Sequence, residues 1–179
     1  MRQFAGVLLL FVISGIATSV AETRDPESHF FNETFGDFSE ELVTAREEGK
    51  KGVLIFFEMD ECPFCHYMKT NILNRLEVQE YYRNNFLIFS VDIEGDIAIT
   101  DFKGNTMSQK NFAFKVNRVR ATPVIAFYDL NGDQVHRYTG RVSGVDEFMW
   151  MGEFIVDEHY KKKRFSNFKR EKRKEKRGP

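Results

Sequence analysis

Two cysteines three positions apart, Cys62 and Cys65, stand between a short apolar run and a stretch with helical periodicity, and the chain holds no others. Two thiols cannot staple a small fold, nor can they furnish a four-thiolate zinc site. As one local pair they point to chemistry rather than to scaffolding. The rest of the chain can build its own core. It has 179 residues, 42% of them hydrophobic, with 19 phenylalanines and only 4 prolines. That excludes a disordered or collagen-like chain and leaves room for one ordinary domain.

The run Val53-Leu54-Ile55-Phe56-Phe57 suits a buried central strand. From Pro63 to about Asn84 the residues Met68, Ile72, Leu76 and Tyr81 form one helical stripe, with Pro63 where a first turn tolerates proline. Cys62 therefore caps a helix N-terminus. Upstream, Phe30, Phe31, Phe35, Phe38, Leu42, Val43 and Ala45 predict one amphipathic helix between Asp25 and Lys50, closed by Gly49 and Gly52. Phe86 to Val91 reads as a second buried strand, and Ile93 to Met107 as a small hairpin turning at Lys103-Gly104-Asn105. Ser108 can cap a short helix to about Val116. Thr122-Pro123 then introduces the strand Val124 to Tyr128, and Asn131-Gly132 joins it to an edge strand, Gln134 to Tyr138. A last helix, Val145 to Tyr160, buries Phe148, Met149, Phe154 and Ile155. Trp150, Met149 and Met151 fit core packing better than a ligand patch.

At a strand-to-helix junction, free helix N–H groups and the macrodipole favour the thiolate of the first cysteine, which makes Cys62 the nucleophile. Cys65, one turn along, is placed to attack a mixed disulfide on Cys62 and release the substrate. The order of apolar strand, Cys-x-x-Cys opening a helix, Thr122-Pro123 before a strand and an Asn-Gly hairpin resembles the thioredoxin superfamily over residues 38 to 160. The block from Phe56 to His66 together with the hairpin is most similar to the periplasmic SoxW-type thioredoxins. The resemblance implies an α/β thioredoxin-like fold: a central mixed sheet flanked by helices, with the hairpin inserted before the cis-Pro strand. It also implies that Pro123 is cis beside the cysteine pair and that Thr122 offers backbone hydrogen bonds to a substrate chain. Pro63 and the apolar Phe64, between the thiols, complete the surface expected to meet substrate.

Two departures from the family pattern matter. Glu61 precedes Cys62 and the intervening pair is Pro63-Phe64, nearer the glutaredoxin pattern, so a redox potential is not inherited. The buried aspartate that thioredoxins place six residues before the first cysteine is Phe56 here. Glu58 lies on the same strand face by the two-residue period and could accept the proton of Cys65; its alternative is an exposed rim carboxylate. Rival readings of the pair are weaker. Cys62 to His66 also fits the haem-attachment pattern, but the strand and helix order leaves no evident haem cavity. Zinc needs two more ligands, and His29, His136 and His159 show no ligand-like spacing. A purely structural disulfide across two residues constrains the unfolded chain very little. A redox-inactive binding module normally lacks one or both cysteines.

The two ends of the chain differ. Arg2, the apolar stretch Phe4 to Ala17 and Ser19-Val20-Ala21 read as a cleaved signal peptide over residues 1 to 21, with an uncleaved anchor as the alternative, and a 22–160 domain exported to an oxidising compartment, the periplasm. Residues 22 to 160 carry 14 basic and 25 acidic side chains, a net −11, whereas Lys161 to Pro179 carry 11 basic and 2 acidic, a net +9. The tail, 161–179, reads as solvated and flexible. It could meet an anionic membrane surface or an acidic partner, or fold back on its own acidic body. Export disfavours nucleic acid. The expectation is a monomeric thiol-disulfide oxidoreductase without bound cofactor. It would act on protein thiols and disulfides, more as reductant than as oxidant or isomerase, with electrons from a membrane thiol transporter.

Overall fold

A computed structural model describes residues 22–178; the expected signal peptide, residues 1 to 21, lies outside them. The elements run α1 (Pro26–His29), α2 (Phe38–Glu47), β1 (Gly52–Glu58), α3 (Pro63–Met68), a π-helical continuation Lys69–Leu73, α4 (Leu76–Asn85), β2 (Phe86–Asp92), β3 (Ala98–Thr100) and β4 (Thr106–Ser108). Then come α5 (Gln109–Asn111) with a π-helical turn Phe112–Val116, β5 (Val124–Tyr128), β6 (Gln134–Thr139), α6 (Val145–Val156) and α7 (Phe165–Arg177).

Four strands form one mixed sheet in the order β2-β1-β5-β6. β1 is parallel to β2 and antiparallel to β5, and β6 is antiparallel to β5. The expected hairpin is present as the separate β3-β4 pair. Every residue of β1 through Phe57 is buried because helices cover both sheet faces. Leu54 and Phe56 pack into one core, with α3, α4, α6 and α7. Val53, Ile55 and Phe57 pack into the other, with α2 and the hairpin. Gly52 opens β1 where a Cβ would fall 2.1 Å from the Tyr128 carbonyl oxygen, so only glycine lets the two strands meet there.

Three expectations are corrected. The single helix between Asp25 and Lys50 is two, because Gly36 takes φ +86 and Asp37 caps a new start by accepting from the amides of Ser39 and Glu40. Phe35, expected on the apolar stripe, is exposed. The helix from Pro63 breaks at Asn74-Arg75, where the incoming chain pairs with it: Arg24 donates its amide to Asn74 O, and Leu76 to Glu22 O. The buried stripe accordingly continues through Val78 and Tyr82 rather than Leu76 and Tyr81.

The third correction concerns the tail. Residues 165–177, expected to be solvated and flexible, form α7; of the alternatives, folding back on the acidic body is the one observed, with Phe165 and Phe168 buried against Phe154. Its cations find acids on α6. Lys172 reaches Glu153 at 2.7 Å, Lys176 pairs with Asp146, and Lys169 and Arg173 hold Glu147 at 2.6 and 3.4 Å. Among the described residues no helix is long and apolar enough to cross a membrane.

Candidate redox site

β1 delivers the chain to the cysteines, and Pro63 stands at the first position of α3 with Cys62 as its cap. Cys62 and Cys65 are joined as a disulfide, with their Cα atoms 5.2 Å apart. Both are buried. Cys62 Sγ accepts two hydrogen bonds, one from the Cys65 amide at 3.0 Å and one from the Thr122 hydroxyl at 3.2 Å. The Thr122-Pro123 peptide is cis. Residues 60 positions apart in sequence thus meet at one sulfur, as the resemblance implied. The contact that Thr122 makes is through its side chain, a feature the backbone role assigned to it had not included.

Glu58 ends β1 on the face of Leu54 and Phe56, as the two-residue period requires. Its carboxylate is only 15% exposed. It accepts from Lys69 Nζ at 2.8 Å and from the Ser90 hydroxyl. Lys69 also reaches Glu27 of α1 at 2.6 Å. Burial works against the Lys69 ammonium, but hydrogen bonds to Glu27 and Glu58 outweigh it and hold its pKa above the usual lysine value. Glu58, Asp60, Asp92, His66 and Lys69 line a cavity of about 230 Å³ whose wall includes both Cys62 and Cys65. Glu58 is therefore neither an exposed rim residue nor alone: it shares one small polar chamber with the disulfide.

The other side of α3 is different. Phe64 is 55% exposed. The Arg141 guanidinium lies 4.6 Å from the Tyr67 ring centroid and 5.9 Å from that of Phe64. Met151 is buried, and Trp150 and Met149 pack against the same core as Phe154, in keeping with a packing role. Among the described residues no group of three or more His, Cys, Asp or Glu side chains could hold a metal ion.

Lys69, Ser90 and Arg141 were missed from sequence. Lys69 carried one readable signal, since it lies on the same helix face as Cys62 and Cys65 by three- and four-residue steps. Ser90 and Arg141 reach the site only through strand pairing and a loop, which no local pattern announces.

Residues 38–155 match the thioredoxin-like domain family. Among solved structures, a thioredoxin-fold protein from Helicobacter pylori is 24% identical, with 69% of this chain and 80% of that one covered at a TM-score of 0.56. A thioredoxin from Thermus thermophilus is 24% identical over 66% and 83%, at 0.52. An oxidoreductase named DsbH is 18% identical over 86% and 95%, at 0.53. At these identities the three show a shared fold. No curated protein matches the chain significantly in sequence. With a mixed four-stranded sheet, a disulfide opening the helix after β1, a cis proline beside it and a family match over most of the domain, the chain belongs to the thioredoxin-like family.

Proposed function

We propose that the protein is an exported thiol-disulfide oxidoreductase that reduces disulfides in protein substrates. The observation that carries the exchange chemistry, as distinct from its direction, is the disposition of Cys62 Sγ. It is bonded to Cys65 and faced by two donors, the Cys65 amide and the Thr122 hydroxyl, which remain in place to favour a thiolate once the bond is opened.

In the reduced protein the Cys62 thiolate attacks one sulfur of a substrate disulfide. The substrate S–S bond breaks, a Cys62–substrate disulfide forms, and the departing thiolate takes up a proton. Cys65 gives its proton to Glu58 across the shared cavity and attacks Cys62 Sγ, releasing the second substrate thiolate and re-forming the Cys62–Cys65 disulfide. Two electrons pass from the pair to the substrate. A dithiol donor restores the pair; a membrane thiol transporter fills that part for an exported protein.

The electrostatics support a reductant. Thiolate-stabilising cations make a strong oxidant, because they stabilise the reduced form. Here Lys69 is engaged by Glu27 and Glu58, and Glu58, Asp60 and Asp92 bring negative charge to the cavity instead. Export, monomeric action and the SoxW-type duty of keeping periplasmic thiols reduced belong to the same proposal.

Cys65→Ser tests the exchange. Mixed with a disulfide-bonded peptide, this variant should accumulate a covalent adduct on Cys62, seen as an added peptide mass that dithiothreitol removes. A chain that forms no adduct contradicts the reading. For export with cleavage after Ala21, protein recovered from cells should begin near Glu22; recovery with Met1 retained would overturn the cleavage, and recovery in the cytoplasm would overturn the export.

A further inference from the structure

α3 has two unlike sides. His66 and Lys69, three residues apart, face the cavity with Glu58, Asp60 and Asp92, whereas Phe64 and Tyr67, also three apart, lie on the opposite side of the helix by its periodicity. Over those rings sits Arg141. It follows Gly140, whose amide donates to the Pro123 carbonyl at 2.8 Å, so the residue before the arginine is bonded to the cis proline beside Cys62. Arg141 pairs with no carboxylate among the described residues, whereas Lys69 on the cavity side is engaged by Glu27 and Glu58.

A guanidinium stacked on aromatic rings is held in orientation while the N–H donors around its edge stay available, and those donors match a carboxylate in pairs. We infer that Arg141, held over Tyr67 and Phe64, is a specificity residue that selects substrate segments carrying an acidic side chain next to the reactive disulfide. The inference rests on the oxidoreductase reading and adds the substrate class to it. Selection is one-sided. An acidic residue on the Phe64 side meets Arg141, while one on the cavity side meets Glu58, Asp60 and Asp92, with Lys69 already engaged there.

The test uses short synthetic peptides with one internal disulfide, flanked on either side by two Glu, two Gln or two Lys residues. Each is mixed with the reduced full-length protein, and the second-order rate of protein oxidation is followed at low and high salt. In the wild type, Glu on one side should react about fivefold to tenfold faster than Gln, and Lys slower than Gln, with the differences shrinking at high salt. Arg141→Ala should bring the Glu-to-Gln rate ratio to one, and Arg141→Glu should invert it. Equal rates for Glu and Gln in the wild type, a preference independent of side, or one that persists in Arg141→Ala would overturn the inference. Hydroxyethyl disulfide, small and neutral, separates the two levels of failure. If it oxidises the wild-type dithiol while Glu and Gln peptides react alike, only the specificity fails; if neither it nor any peptide reacts, the oxidoreductase reading fails with it.

Discussion

Two carboxylates withdrawn from solvent, Glu58 at the end of β1 and Glu147 on α6, are each held by a lysine and a serine hydroxyl, yet their surroundings assign them different work. Glu147 is 3% exposed and accepts from Lys169, Arg173, Tyr138 and Ser143. Every partner belongs to α7 or to the α6–β6 side of the fold, so the group clamps the C-terminal helix to the body. Glu58 has fewer partners and opens on a cavity that also reaches Cys62 and Cys65. Burial and a lysine therefore do not by themselves mark a reacting group. Each lines a cavity, and what separates the two is that only the cavity beside Glu58 reaches the disulfide.

The largest effect is expected at the sulfur. Cys62→Ser should reduce turnover of a protein disulfide by at least about a thousandfold, because the attacking group itself is removed. Residual turnover through Cys65 alone would dissolve the distinction between attacking and resolving thiols. Glu58→Gln keeps the hydrogen bonds of Lys69 and Ser90 within reach but cannot take a proton. Release of the mixed disulfide should slow by about a hundredfold near neutral pH, with recovery as the pH rises and Cys65 ionises unaided. A uniform loss at all pH values would make Glu58 a structural residue like Glu147.

Glu147→Gln is the converse. It should leave disulfide turnover of the folded protein unchanged and lower stability by about 2 kcal/mol, since Lys169 and Arg173 lose their counter-charge. Burial pushes the Glu147 carboxyl up, but hydrogen bonds from Lys169, Ser143 and Tyr138 outweigh it and hold its pKa below the usual 4.5. The contribution is present above pH 4.5 and is lost as pH falls through the lower folded value. The Tm difference between wild type and variant should therefore close on acidification below that point; a constant difference would show that the charge is not what clamps α7.

The smallest effect concerns His136, which packs against Phe154 and Phe165, its Nε2 buried with no partner among the described residues. Burial lowers its pKa from 6.5 to about 4. Above pH 6.5 neither folded nor unfolded chain binds the proton. Between there and pH 4 the unfolded chain gains it first, so stability falls across that window. His136→Phe should flatten this decline in Tm by a few degrees. An unchanged slope would place the titration elsewhere.

The same contrast explains what the sequence could convey. The chemistry of the cysteine pair was legible because each part is local: an apolar strand, a thiol at a helix cap, a proline in the first turn. Thr122-Pro123 could be placed beside Cys62 only through the family resemblance, and the cis peptide follows that expectation. α7 was misread for a physical reason. Its composition is too polar for a core element, but Phe165 and Phe168 lie on one face with Lys169, Lys172 and Lys176, and that face has a matching ladder of Asp146, Glu147 and Glu153 on α6. Half of that interaction was written in the tail and half in another helix. The break at Asn74-Arg75 was hidden in the same way, because it depends on residues 22 to 24 pairing there.

If Cys62 and Cys65 form an exchanging redox couple that donates electrons, the reduction potential of the pair must show it. The protein is equilibrated across thiol buffers of defined potential, with Cys62→Ser as the control, and the disulfide fraction is measured at each. A reversible two-electron curve with a midpoint at about −270 mV, the range of thioredoxin reductants, is expected. A midpoint near about −120 mV would make the protein a disulfide donor and contradict the direction of flow, and a pair that stays oxidised across the whole series would contradict the redox function itself.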